Sequence, residues 1–417
     1  MTRHHEMLAN AAAMPTKDNP AKVVANIMRQ LPPSAHDAYA FYLYGNALYR
    51  EGRLEEAATA LRRSVYLGPD RPEAFNDLAA TLFALGRESE AVPFIRRALT
   101  LAPDLPEAAE TDSIWLLRYG RFREGWRKYE ARLRTAANKD QVRVFPQPQW
   151  MGEPLNGRTI LLHTEQGLGD MLQFVRYVPL VAQRGGRVIL EVYHRTMPLL
   201  HHLPGVSRFI MRGDTVPPFD THSSIMSLPL AFRTDLDSIP ANIPYLTVPE
   251  DRIQVWRHRL GVRKNLRVGI VWSGNPAHRD DKRRSMPLEQ FVRITRNDPR
   301  ISFHVLQADV RDSDKEALDA HPHIHNHAPQ QVDFGETAAL MTQLDLVIGI
   351  DTSVMHLCGA FGIPGWVLLM NVADWRWLLA RDDSPWYPSL ELFRQPRHGD
   401  WDSVLDKVAV RLDELLG

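Results

Sequence analysis

Residues 344–369 read LDLVIGIDTSVMHLCGAFGIPGWVLL. Two strongly apolar runs, 344–350 and 366–369, flank a polar turn at Asp351-Thr352-Ser353 that leads into a further apolar stretch ending near Ala360. A buried strand, a turn, a helix and a second buried strand account for this pattern. A turn of this kind aims backbone N–H groups and the positive end of a helix dipole at an anion. The stretch therefore predicts a parallel α/β unit with an anion-binding helix start.

The same alternation extends to both sides. Pro146, Pro148 and Pro154 mark a break, and from about Gln149 onward apolar strands alternate with amphipathic helices. Strands are predicted at 159–164, 187–192, 208–212 and 223–226, with helices at 171–183 and 195–202 between them. A helix over 252–260 then leads to strands at 267–272, 302–307, 324–327, 344–350, 366–370 and 390–393. Strand–helix alternation builds parallel, doubly wound sheets. Two Rossmann-like domains are expected, 149–262 and 263–417, facing a cleft, with the last helix (402–416) packing back on the first sheet. Ligands of such sheets bind beyond the carboxyl ends of the strands.

Upstream of the break the period is different. Pro69 and Pro103 lie 34 residues apart, and Gly52, Gly86 and Gly120 repeat at the same interval. That is the tetratricopeptide period, two helices per repeat. Phe41, Tyr44, Gly45, Leu48, Ala57 and Leu61 fall on its consensus sites, and Phe75, Leu78, Ala79, Leu82, Ala91, Ile95 and Ala98 repeat them. A third repeat from Pro106 keeps Leu116, Gly120 and Tyr129 but places Asp112, Ser113 and Arg132 where small or apolar residues are usual, as a terminal repeat does. A helix around 21–31 reads as a degenerate extra repeat, so that a tetratricopeptide domain over 20–138 precedes the sheets. Stacked helix pairs offer a surface for an extended peptide or protein, or serve as a spacer.

Composition narrows the function classes. The 417 residues carry 50 basic and 50 acidic side chains, so no overall charge points to nucleic acid or an anionic membrane. The single cysteine, Cys358, excludes an intrachain disulfide framework and fits a reducing compartment, taken as the cytoplasm. The first twenty residues are too polar for a signal peptide, and no later run approaches the roughly 18 apolar residues of a spanning helix.

Three groups of residues face the expected cleft. After the first strand, Thr164-Glu165-Gln166-Gly167-Leu168-Gly169-Asp170 opens a helix, with Gln166, Gly167 and Gly169 shaping a tight turn. Asp170 can cap that helix, or act as a base toward a hydroxyl nucleophile. The turn partly imitates a dinucleotide fingerprint, with Glu191 downstream, but Leu172 stands at the third glycine position and Asp170 would repel a pyrophosphate. After the second domain's first strand come Ser273 and Gly274, which can offer hydroxyl and backbone donors to a ligand, then a polar run, 278–285, in which Lys282 and Arg284 can neutralise phosphate oxygens. The pair Asp280-Asp281 lies among four cations, so no required metal is expected. In the opening stretch Thr352 and Ser353 can present hydroxyl and N–H groups, and His356 lies one turn on, on the face of Thr352. Asp351 suits hydroxyl groups or the ordering of its turn, since it would repel a phosphate. Beyond the next strand, Trp375 can stack on a ring or pin the loop to the core, and Arg376 and Arg381 are candidate phosphate contacts. His321, His323, His325 and His327 alternate, but no carboxylate or cysteine completes a metal set.

Residues 165–170 with Pro179, the basic loop after Trp272, and Asp351-Thr352-Ser353 with His356-Leu357 and Gly362-Ile363-Pro364 resemble the heptosyltransferase-type glycosyltransferases of family nine, which have the GT-B fold. The resemblance runs from about Leu155 to the C-terminus. Repeats fused to such a domain, with Glu124-Gly125-Trp126 and Tyr129-Glu130 at the junction, resemble the subgroup that includes bacterial flagellin-modifying glycosyltransferases. The resemblance implies a metal-independent, inverting transfer from a nucleotide-sugar co-substrate, with no further cofactor. It implies Asp170 as base, Lys282 on phosphate, and Asp351, Thr352 and His356 around the donor. Ser353 departs from the family's usual glycine, and the 375–377 loop is not the family's, so donor identity does not carry over. Three acceptor readings follow: a protein such as flagellin recruited by the repeats, a lipopolysaccharide-type lipid-linked sugar, or no acceptor at all in an inactive repeat scaffold.

Overall fold

A computed structural model of the chain describes residues 3–15, 18–30, 37–138, 142–278 and 280–417. Leu31, at the end of the expected first helix, and Arg279, in the basic loop, lie outside the described residues. The chain divides into two compact units, Met1–Asp140 and Gln141–Gly417.

The first unit is built of helices in hairpins: α1 (Arg3–Ala12), α2 (Pro20–Gln30), α3 (Ala38–Arg50), α4 (Leu54–Leu67), α5 (Pro72–Ala84), α6 (Glu88–Leu101), α7 (Pro106–Arg118) and α8 (Phe122–Tyr129). The repeated glycines explain why the chain turns where it does. Gly52, Gly86 and Gly120 have φ of 81°, 74° and 73°, the left-handed conformation that a helix stop needs. After each, an arginine N–H reaches back to the helix: Arg53 to Leu48 O (3.0 Å), Arg87 to Leu82 O and Arg121 to Leu116 O (both 2.9 Å). Each arginine then pairs with the glutamate three residues on, Glu56, Glu90 or Glu124. The third repeat thus keeps its turn while its atypical polar residues are satisfied locally. Asp112 pairs with Lys128, and the buried Arg132 pairs with Glu130 at 2.8 Å and lies over the Tyr129 ring.

The second unit contains two parallel sheets. Strands β1 (Thr159–His163), β2 (Arg187–Val192), β3 (Val206–Met211) and β4 (Thr221–Ser224) run in the order β3-β2-β1-β4. Strands β5 (Leu266–Val271), β6 (Ile301–Val305), β7 (Ile324–His325), β8 (Leu346–Ile350), β9 (Gly365–Leu369) and β10 (Leu390–Arg394) run in the order β10-β9-β8-β5-β6-β7. All pairings within both sheets are parallel. β8 and β9 are buried at every position, which is why they read as continuous apolar runs rather than alternating ones.

Among the helices of this unit are α9 (Leu168–Phe174), α10 (Glu250–Leu260), α11 (Phe334–Met341), α12 (Ser353–Phe361) and α13 (Trp401–Leu416). The helix expected over 171–183 begins at Leu168 and breaks after Phe174 into a 3-10 turn and a short helix carrying Pro179. The last helix corrects an expectation. α13 does not pack on the first sheet; its Trp401, Val404, Leu405, Val408 and Leu412 join one core with Val268, Ile270, Phe303 and Phe393 of the second. Its polar face is tied there too, Arg293 pairing with Asp402 and Asp406, and Arg296 with Asp413. An apolar stripe next to its own sheet outcompetes a more distant partner.

Candidate functional site

The helix starts that follow β1 and β8 meet. α9 and α12 pack against each other through Gly169, where a Cβ would come within 2.9 Å of the His356 ring and 3.5 Å of Ser353 Cα. Because both helices follow the carboxyl ends of their strands, this contact lies where doubly wound sheets take ligands.

On the α9 side the turn is fully wired. Gln166 adopts φ 55° and its carbonyl accepts a 2.6 Å bond from the Tyr193 hydroxyl. Gly167 N–H donates to Asp170 Oδ2 at 2.8 Å, and Asp170 Oδ1 is paired with Arg376. Burial pushes the Asp170 carboxyl above its ordinary pKa, against the opposing pull of Arg376 and the Gly167 N–H. Glu191, the residue that a dinucleotide reading would place on a ribose, is fully buried: it accepts from Thr164 N–H (3.0 Å) and hydroxyl (2.7 Å) and pairs with Arg143. It holds the end of β1.

Arg376, expected on a phosphate, is held in this structure by other groups. Its Nε donates to Gln173 Oε1 at 2.7 Å, one terminal nitrogen to Asp374 at 2.8 Å and the other to Asp170, and its plane lies 4.2 Å from the Trp375 ring centroid. Trp375 is only 2% exposed, packed by Phe174 and Trp386, so it pins the loop to the core instead of offering a face to a base. Arg381 pairs with Asp383 in an exposed turn.

The α12 side is less complete. Thr352 occupies the N-cap position but makes no side-chain cap bond, and its Oγ1 is buried without a hydrogen-bond partner. Ser353 is half-buried at the first helical position. Asp351 offers its carbonyl to Arg284 at 2.8 Å, while burial and then the nearby Asp374 raise its carboxyl to about 6. Arg284 Nε is also buried without a hydrogen-bond partner. His356 is buried, its Nδ1 2.9 Å from the Tyr387 hydroxyl and its ring stacked on Trp377. Burial, then Arg376, lowers it to about 3, so it is a neutral imidazole.

The loop after β5 differs from expectation in one respect. Ser273 N–H donates to Gln307 Oε1 (3.0 Å), its hydroxyl accepts from Gln307 Nε2 (2.7 Å), and Gly274 N–H donates to Ser285 Oγ (3.0 Å). These backbone donors shape the loop rather than await a ligand, and a Cβ at Gly274 would stand 2.7 Å from the Arg284 guanidinium, which would have to move aside. Arg311 braces the same loop through Gly274 O and Asp281. Lys282 is exposed and has no ion pair among the described residues.

Sequence reasoning missed Gln173 and Arg176; Asp374 and Tyr387 stood out only as members of the aromatic stretches 374–377 and 384–388, without their partners Arg376 and His356. Arg176 is buried and bonds Gln173 O, Trp386 O and the Tyr245 hydroxyl, lying over the rings of Tyr245 and Tyr387. The spacing of Asp170 and Gln173, three residues apart on one helix face, was the available signal for a shared partner. Among the described residues no group of His, Cys, Asp and Glu side chains could hold a metal ion. His304 Nδ1 lies 3.1 Å from His327 Nε2, and burial lowers these rings to about 3 and about 4. No helix of the described residues is long and apolar enough to cross a membrane.

Residues 29–72 and 42–106 match the tetratricopeptide repeat model. The chain is 25% identical over 320 residues to Protein FlbA of Caulobacter vibrioides, covering 71% of this chain and 53% of that protein, so that it spans about half that relative's length. Among solved structures it is similar to ADP-heptose lipopolysaccharide heptosyltransferase II of E. coli, at 13% identity over 62% of this chain and 98% of that one, with a TM-score of 0.45. It is also similar to an O-GlcNAc transferase mutant of Thermobaculum terrenum, at 15% identity over 90% and 84% of the two chains, with a TM-score of 0.35.

Proposed function

We propose that this chain is a cytoplasmic glycosyltransferase that moves a sugar from a nucleotide-sugar donor to a protein acceptor recruited by the repeats, with flagellin Ser or Thr hydroxyls as the acceptor class. The observation that carries the reading is the meeting of two helix starts, one holding a carboxylate and the other a buried, unpartnered hydroxyl. A carboxylate facing an anion-binding helix start is what displacement at an anomeric carbon requires.

In this reading the acceptor hydroxyl attacks the anomeric carbon while Asp170 takes its proton. The bond from that carbon to the diphosphate oxygen breaks, and the nucleoside diphosphate leaves with the electron pair. One displacement by one carboxylate inverts the anomeric centre, and no metal is needed. The leaving diphosphate rests on the start of α12, with Thr352, Ser353, Arg284 and Lys282 as donors. Asp351 receives sugar hydroxyls. Neutral His356 orients the helix start through Tyr387 and Gly169. Arg376 is reassigned from phosphate to Asp170, whose carboxyl group it holds in place.

Intact-mass spectrometry of flagellar and other surface proteins tests the reading. Deleting the gene should remove a glycan mass that the wild-type gene restores and Asp170→Asn does not. Full restoration by Asp170→Asn removes Asp170 as the base, and a loss confined to lipopolysaccharide moves the acceptor to lipid.

A further inference from the structure

Residues 252–267 hold six arginines and lysines, more than the site above uses. They run from α10 to the start of β5, and three of them, Arg257, Arg263 and Arg267, line with His258 and the turn after α11 an open cavity of about 790 Å³ that has Gln254 and Thr342 among its neutral groups. The cavity touches Leu344, ahead of β8, whereas Thr352 follows that strand. It therefore lies at the amino ends of β5 and β8, on the opposite edge of the sheet from the transfer site.

Part of this charge is spent. Arg252 pairs with Asp333 and Glu336, and Arg259 lies over Trp256. The buried Arg267 gives one nitrogen to the carbonyls of Leu260 (3.1 Å) and Gly261 (2.9 Å), capping the negative end of α10. Arg263 pairs with Asp345. Arg257 reaches only the neutral Gln254, at 3.0 Å, and neither it, His258 nor Lys264 has a carboxylate partner among the described residues. A helix end attracts about half a unit of positive charge. Of the remainder, Arg257 and His258 line the concave volume beside Arg263 and Arg267, and that volume is sized for a small molecule rather than for a membrane or a duplex.

The geometry points to this cavity as a second ligand site, for a small polyanion with adjacent phosphates, separate from the transfer site. Forked guanidinium groups hold such oxyanions at several points at once. The shared chemistry belongs equally to inorganic pyrophosphate and to nucleoside di- or triphosphates.

Isothermal titration of the full chain with pyrophosphate and, separately, with ADP and ATP at low salt tests this. We expect a binding component that weakens as salt rises and falls at least tenfold in affinity in Arg257→Gln/His258→Gln. That component should survive Lys282→Ala and Thr352→Val. Both altered residues are exposed, so the melting temperature of the double variant should stay unchanged. Tighter binding of the nucleotides than of pyrophosphate assigns the base a place in the cavity; equal binding assigns phosphate recognition alone. Absence of binding, binding unaffected by the double variant, or binding lost only in Lys282→Ala and Thr352→Val overturns the site. Because the last two variants report on the transfer site, the two readings fail separately.

Discussion

The starts of α9 and α12 are alike in position and opposite in state. Each follows a central parallel strand and each faces the other, yet at α9 the carboxylate is held by Gly167 and Arg376, whereas at α12 a buried hydroxyl has no partner. A prewired carboxylate is preorganised before substrate arrives, which suits a group that must hold one geometry and one charge state. An unmet buried hydroxyl costs the free protein roughly 1–3 kcal/mol, a cost that a bound group accepting or donating at that position would recover. Under the proposed function, the contrast separates a reacting end from a receiving end.

The largest effect should come from unwiring the α9 end. Arg376→Met leaves Asp170 and Asp374 without their shared cation, and breaking a buried pair from one side typically costs about 3–5 kcal/mol. Urea unfolding should show a loss at the low end of that range at neutral pH, because Asp170 keeps some solvent contact at 15% exposure. The double variant with Asp170→Asn should recover much of the loss, since the uncompensated charge is then gone. Additive losses would mean that the pair is not the wiring, and the two helix starts would no longer differ.

Next in size is a pH effect on the contact between the helices. His356 titrates near 6.5 when unfolded and at about 3 when folded, so the folded state excludes a proton that the unfolded state takes up. Stability is then complete above pH 6.5 and falls as the pH drops toward 3. Between pH 7 and 5 this one group should cost about 2 kcal/mol. His304 and His327, also lowered, add to the same slope from elsewhere in the sheet. His356→Gln should flatten the acid side of a urea-midpoint profile by its share. An unchanged slope would show that His356 is not held neutral against Gly169 and Tyr387.

What was legible in the sequence follows the range of the forces involved. The repeats were readable because a glycine turn, its back-bonded arginine and the glutamate three residues on are all local, and they recur every 34 residues. Strands such as β8 and β9 were readable because fully buried parallel strands cannot hide their apolar runs. The Asp170–Arg376 pair was not, because it joins residues 206 apart and nothing near Arg376 distinguishes a carboxylate partner from a phosphate. The same holds for Ser273 and Gly274, whose N–H groups look free until Gln307 and Ser285 are brought to them. Trp375 read equally as a stacking platform or as a pin for its loop, because exposure cannot be told from an aromatic-rich loop alone. The docking of α13 failed for a related reason, since an amphipathic stripe declares that it will be buried and not against which sheet.

The smallest effect is the most discriminating. An N-cap Thr→Ala change usually costs about 0.5–2 kcal/mol through the lost cap bond. Thr352 makes no such bond, so Thr352→Val removes an unmet hydroxyl and fills the same space. Its unfolding free energy should stay level or rise by up to about 1 kcal/mol. Calorimetric binding of UDP, GDP or ADP, whichever binds, should nevertheless weaken by roughly tenfold, about 1.4 kcal/mol, at the component insensitive to Arg257→Gln/His258→Gln. Thr352→Ser keeps the hydroxyl and should bind like the parent. If Thr352→Val instead destabilises the fold and leaves nucleotide binding untouched, the hydroxyl belongs to the helix after all. The α12 end would then be as wired as the α9 end, and a receiving site would have to be sought nearer Lys282.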